Sequence, residues 1–311
     1  MKTKKTKIYF QQENTKMEKL KAGFYTALGT PLDIDGNVIE ESLRREIEMQ
    51  IEAGASGLLL MGSMGIEADI KMSAYGEAAR IAADAVNGRV SLFVGAMDNS
   101  VWRVKDRLAL LSGLKIDGVV LTTPFYSTAT DPELFRFFSA ISDASEFPIY
   151  LYDLAVVTKV KINFPLVDKL IKAGKVAGIK TGDIVLARQL AYAYPDFEVL
   201  YSNIDAFDVA LSFDGINKVL DGMFSCTPKN AKKFVEAYKA GDIKTAGVYL
   251  NNILKFRDCL LGYPGNALLY IFSISMNLLG MEGIFCPDYK YDPKPELVAL
   301  VKAQMEEIGE L

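Results

Sequence analysis

Residues 175–183 read KVAGIKTGD. Small and apolar residues follow one another as in a buried strand, and the run stops on Lys180, just before a Thr-Gly turn and a new helical stretch. An ammonium group at the end of a buried strand needs somewhere to go. A barrel of parallel strands offers a place, because side chains at the C-terminal ends of its strands converge on a common mouth. Side chains alternate along a strand, so Val176, Gly178 and Lys180 share one face while Ala177 and Ile179 share the other. With Lys180 turned inward, its amine lies at the mouth above a layer containing Gly178, partly desolvated, which favours the neutral, nucleophilic form. The competing reading is a surface lysine in a strand-to-helix loop. It holds for most lysines taken singly, so the neighbours must decide.

Working outward, the same kind of run recurs at FYTAL (24–28), SGLLLMG (56–62), VSLFVGA (90–96), DGVVLTT (117–123), PIYLYD (148–153), EVLYS (198–202) and NKVLDGM (217–223). With VAGIK (176–180) these make eight strand candidates. Between them lie amphipathic stretches such as EESLRREIEMQIEAG (40–54), SVWRVKDRLALLSGL (100–114) and DPELFRFFSAISDAS (131–145), the last opened by Asp131 as N-cap and Pro132 in the first turn. Eight strand–helix units match a (β/α)8 TIM barrel over residues 23–240. A doubly wound sheet is the rival, but no G-x-G-x-x-G follows the first strand. Residues 241–311 carry helical patterns without a clear strand and are expected to form a C-terminal helical appendage. Residues 1–22, basic and lacking an apolar segment, read as a disordered arm or leader rather than a secretory signal.

Composition removes whole classes of chemistry. The 311 residues contain no histidine, which excludes Ser-His-Asp and Cys-His hydrolases and the aldolases that hold zinc through imidazole. Lys, Tyr, Asp, Glu, Ser, Thr and Cys remain. The net charge of −4 gives no general attraction for nucleic acid or an anionic membrane surface, and no apolar run has a spanning length. Cys226, Cys259 and Cys286 stand far apart without metal-ligand spacing, which suits free thiols in a reducing, cytoplasmic compartment.

Two segments favour a functional Lys180. PIYLYD puts Tyr150 and Tyr152 on one face, Tyr152 nearer the mouth, where a phenol can move protons beside an amine; taken alone, each tyrosine reads as barrel core. LLLMGSMG ends the second strand in a glycine-flanked turn carrying Ser63 and Met64, whose backbone amides can bind a carboxylate. Taken alone, that turn is an ordinary strand–helix connection.

Together these segments resemble the dihydrodipicolinate synthase and N-acetylneuraminate lyase family of Schiff-base-forming aldolases. TPLDIDGNVIEESL (30–43), GSMG, TPFY, YLYD and GIK follow that family's order at similar intervals across the whole barrel. The resemblance implies that Lys180 forms the Schiff base, that Tyr152 transfers protons and that Ser63 supplies the relay hydroxyl. It implies that Tyr126 joins the relay across a subunit contact, hence a homotetramer or homodimer. Ser63, Met64, Val157 and Phe224 fall at substrate-binding positions, for pyruvate or another 2-keto acid. No cofactor and no metal is implied.

The chain also departs from the family. Met64 replaces a hydroxyl residue. Ile66 stands where a glutamate is usual, with Glu67 one place later. Val157 occupies the position where dihydrodipicolinate-forming enzymes carry the arginine that grips the carboxylate of aspartate semialdehyde, and an isopropyl group cannot replace that fork. The expectation is an aldolase or lyase outside the lysine-synthesis branch. A sugar-acid dehydratase using the same imine, or a non-catalytic keto-acid or sugar-acid binder on the same scaffold, are the alternatives.

Overall fold

The computed structural model describes residues 19–262 and 268–311. Eight parallel strands, β1 (Gly23–Ala27), β2 (Gly57–Leu60), β3 (Ser91–Gly95), β4 (Gly118–Thr122), β5 (Ile149–Asp153), β6 (Gly178–Thr181), β7 (Glu198–Tyr201) and β8 (Lys218–Asp221), close into a barrel in chain order. This is the expected TIM barrel. Every strand candidate forms, displaced by no more than two residues at either end.

The connecting helices form where apolar residues recur at helical spacing. Helix Glu40–Glu52 buries Leu43 and Ile47, one turn apart, against the barrel wall; full burial of such a side chain stabilises by about 1.5–3 kcal/mol. Ser100 accepts from the Arg103 amide at 3.3 Å and so caps helix Val101–Leu111. Helix Asp131–Ser142 corrects the expected cap. Asp131 is its first helical residue and Thr130 is the N-cap, because the Glu133 carboxylate reaches back to the Thr130 amide at 2.8 Å and hydroxyl at 2.6 Å.

Inside the barrel, Phe93 lies 6.3 Å from Tyr25 and 4.8 Å from Tyr150, ring centre to ring centre. Glycine is required beside them. A Cβ on Gly178 would come within 2.4 Å of the Tyr150 ring, and one on Gly118 within 2.7 Å. The floor is closed by the buried pair Lys218–Glu198 at 2.9 Å. Residues 1–18 of the expected arm lie outside the described residues. Lys19–Ala22 meet the floor: the Leu20 amide donates to Glu198 at 3.1 Å and Tyr25 donates to the Lys21 carbonyl at 2.7 Å.

Beyond the eighth strand, helices Pro228–Lys239, Ile243–Gly262, Leu268–Leu278 and Pro295–Glu307 pack on the barrel and one another. The end of the chain returns to the first of these. The Glu310 carboxylate accepts from the amides of Lys229 at 3.0 Å and Asn230 at 2.7 Å, satisfying two donors that a helix start leaves unpaired.

Candidate active site

Register brings the functional side chains together. Tyr152 on β5 pairs with Lys180 on β6, and Thr122 on β4 pairs with Tyr152, so all three point to one face at the C-terminal end of the barrel. The Lys180 Nζ lies 4.1 Å from the centre of the Tyr152 ring, and both residues are buried. Among the described residues Lys180 has no salt-bridge or hydrogen-bond partner. The Tyr152 hydroxyl and the Ser63 Oγ are 3.1 Å apart, either able to donate. An amine over a phenol ring, with that phenol bonded to a second hydroxyl, has the geometry that a short proton path to a nucleophile requires.

The turn bearing Ser63 is held under strain. Met61 and Ile66 flank it in the left-handed region, at φ 52° and 48°, a conformation that costs about 1–3 kcal/mol for a residue with a side chain. Three features hold it. The carbonyls of Gly62 and Ser63 accept from the amides of Glu67 and Ile66, each at 3.3 Å. Gly95 leaves room for the Met61 carbonyl, which a Cβ there would meet at 1.9 Å. Glu67, buried, is ion-paired with buried Arg107, which also holds Asp98 at 3.1 Å. The amides of Ser63 and Met64 donate to no acceptor among the described residues. Met64 packs against Gly222, where a Cβ would come within 2.6 Å of its methyl group.

Asp153, one residue past Tyr152, points to the other side of the strand. It accepts from the Thr181 hydroxyl at 3.0 Å and the Ile162 amide at 3.2 Å, and Lys161 bridges it to Asp183. This ties the ends of β5 and β6 together directly beside Tyr152 and Lys180. At the end of β8, Asp221 is raised above the usual carboxylate range by burial, while the Met223 amide and the Lys180 charge pull it back down.

The remaining expected residues divide. Tyr126 is 90 % exposed; the Asn99 side chain holds its loop by accepting from the amides of Phe125 at 2.9 Å and Tyr126 at 2.7 Å. Val157 lies in the short helix Ala155–Thr158 and lines a cavity of about 460 Å³ that Ser63, Met64 and Thr122 also line. Phe224 does not join them. It is fully buried in the packing outside the barrel wall, its ring 5.2 Å from Phe24 and 5.7 Å from Phe207, so its expected place at the substrate is corrected. The reason is local: the chain turns at Gly222 and starts a new helix, Met223–Cys226, that tucks back under the wall.

Sequence reasoning passed over Asp153, Thr122, Asp221 and the Glu67–Arg107–Asp98 group. For Asp153 a signal existed, since it ends the predicted strand 148–153, while Thr122 lies one residue inside the end of the predicted strand 117–123. Arg107 gave none, because it reads as one of several charges on an amphipathic helix.

A closed barrel with a buried lysine, a phenol and a hydroxyl in sequence at its mouth suits the chemistry of the Schiff-base-forming aldolases and lyases. The match to the Dihydrodipicolinate synthetase family covers residues 20–283, and the chain belongs to that family. It is a carbon–carbon or carbon–oxygen lyase of this type. The 4-hydroxy-tetrahydrodipicolinate synthase of Acidiphilium cryptum is 26% identical over 288 residues, 91% of this chain and 95% of that protein. The enzyme of the same name from Pelobacter propionicus is 30% identical over 226 residues, 72% of this chain and 78% of that one. Among solved structures, a prophage protein of the dihydrodipicolinic acid synthase family from E. coli K12, in complex with pyruvate, superposes with a TM-score of 0.83 at 21% identity, covering 94% of this chain and all of that one. CdNal from Clostridium difficile, in complex with mannosamine, gives 0.84 at 19%, covering 92% and 99%. These two likenesses concern the fold. No helix among the described residues is long and apolar enough to cross a membrane.

Proposed function

We propose that the protein makes or breaks a carbon–carbon bond through an imine between Lys180 and pyruvate or another 2-keto acid. The observation that carries this is the Lys180 amine 4.1 Å from the Tyr152 ring centre, with the Tyr152 hydroxyl 3.1 Å from Ser63. The amine adds to the ketone carbon. The nitrogen's own proton passes to the oxygen to give a carbinolamine, Tyr152 delivers a second so that the oxygen leaves as water, and Ser63 restores the phenol's proton. The resulting iminium withdraws electrons from the neighbouring carbon, which loses a proton to give an enamine or releases an aldehyde in the reverse direction. The free amides of Ser63 and Met64 are suited to the keto-acid carboxylate, and Met64 adds no side-chain donor.

The acceptor differs from aspartate semialdehyde in this reading, although the curated relatives are named as synthases. Val157 offers no guanidinium, and the nearby Lys159 turns its Nζ to the Val156 carbonyl at 2.7 Å. Loss of a charge-assisted contact of about 1.5–3 kcal/mol lowers use of that acceptor roughly ten- to a hundredfold. The chain works as an oligomer of the family's kind, with Tyr126 reaching a neighbouring subunit, and its three free thiols suit a reducing cytoplasm.

Borohydride reduction in the presence of pyruvate is the test. Pyruvate should be fixed to the peptide containing Lys180 and not in Lys180→Ala. Labelling spread over surface lysines, or persisting in the variant, removes the reading.

A further inference from the structure

Next to Ser63, Met64 and Thr122 lies the cavity of about 460 Å³, whose other walls are of another kind. Leu154, Val156 and Val157, from the segment after β5, line it with Leu268 and Leu269 of helix Leu268–Leu278 and with Phe125. Its charged groups do not suit an anion. Glu67 and Asp69 contribute two carboxylates; Lys290, the only cation lining it among the described residues, already acts on Asp69. No arginine lines it among the described residues.

Among the described residues, two buried polar atoms of the lining lack a partner: Thr122 Oγ1, and the Glu67 Oε2 left over when Arg107 takes the other oxygen. The carboxylate oxygen only accepts, so Thr122 is the orphan able to donate to a ligand. It stands beside Tyr152 in the strand register, on the inward face. A buried hydroxyl without a partner costs stability until something pairs with it.

We infer that this cavity takes the apolar substituent of an uncharged aldehyde, aliphatic or aromatic, and that the Thr122 hydroxyl donates to that aldehyde's oxygen. The inference rests on the imine reading of Lys180. The enamine carbon attacks the aldehyde carbon and forms the new bond; the carbonyl electron pair moves to the oxygen, which takes a proton from the Tyr152–Ser63 path. Water then hydrolyses the iminium, freeing the Lys180 amine and a 4-hydroxy-2-keto acid. Pyruvate and aldehyde are joined with no oxidation or reduction.

The test uses the full chain with pyruvate and three aldehydes: benzaldehyde, 3-methylbutanal and the carboxylate-bearing succinic semialdehyde. Products are followed by mass. The two apolar aldehydes should show kcat/KM at least about tenfold above the charged one, the weight of roughly one hydrogen bond or more. Thr122→Val should lower the apolar-aldehyde value by about the same factor, and Thr122→Ser, which keeps the hydroxyl, should restore most of it. Equal or better use of succinic semialdehyde overturns the inference, as does a Thr122→Val protein as active as the wild type. Its failure is separable from that of the imine reading: pyruvate trapped on Lys180 with a charged acceptor preferred defeats the inference alone, whereas no trapping at all defeats both.

Discussion

Tyr152 serves two purposes at once: its ring packs in the barrel and carries the lysine above it, while its hydroxyl bonds to Ser63. Phenylalanine at this position separates them. Tyr152→Phe keeps the packing and the surface facing Lys180, so its thermal midpoint should stay close to that of the wild type. Imine formation should slow by about two to four orders of magnitude. Unchanged trapping kinetics would assign Tyr152 to the core alone. Glu46 presents a different kind of residue-scale test. It is fully buried behind β1, accepts from the Gly29 amide at 2.8 Å and from Ser225, and has one oxygen without a partner among the described residues. Burial pushes its carboxyl from 4.5 up to about 8. The folded protein therefore keeps a proton that the unfolded chain releases between those values. Stability is full below pH 4.5 and declines as pH rises toward 8, by at most about 1.4 kcal/mol per unit. Glu46→Gln should flatten that slope in urea titrations at pH 5, 6.5 and 8; parallel slopes for the two proteins would refute the assignment.

Strands also hold their ends in place through groups outside the Lys180–Tyr152–Ser63 contact. Asp153 ties β5 to β6 through Thr181 and to the following loop through Ile162 and Lys161. It is a positioning residue, and Asp153→Ala should lower kcat for the imine-dependent reaction about ten- to a hundredfold, since small misplacements of reacting groups are costly. KM for the keto acid should move less. Asp153→Asn, which can still accept from Thr181, should recover much of the rate; a variant that lost only thermal stability would make Asp153 purely structural. Legibility in the sequence follows the same division. Lys180 and Tyr152 could be placed because strand alternation is a local rule and both lie on strands with strong apolar patterns. Phe224 could not, because its direction depends on where the chain turns at Gly222. Thr130 was overlooked as a cap beside the equally plausible Asp131, and only the reach of Glu133 distinguishes them. Arg107 is invisible as a buried group until Glu67 and Asp98, from two other segments, are seen around it.

For the assembled molecule, Tyr126 is the residue to question. Tyr126 is 90 % exposed on one chain, in a loop fastened by Asn99, and the proposed oligomer assigns it to the neighbouring subunit's relay. Subunit mixing distinguishes the cases. Tyr126→Phe chains keep their lysine, and Lys180→Ala chains keep their Tyr126; if the relay crosses between subunits, co-refolded mixtures should exceed the activity of either variant alone by about tenfold or more, on the scale of a general acid–base contribution. Activity in mixtures equal to the average of the two would show that Tyr126 does not act across subunits.

The contact of Glu310 with helix Pro228–Lys239 also bears on how the chain is made. Helix Pro228–Lys239 waits for a carboxylate encoded 80 residues downstream. At about 5–20 residues per second, a ribosome needs roughly 4–16 s to supply it. During that interval a nascent chain has all eight strands but lacks the helices that cover Phe224 and Phe234, leaving an apolar flank open to whatever is nearby.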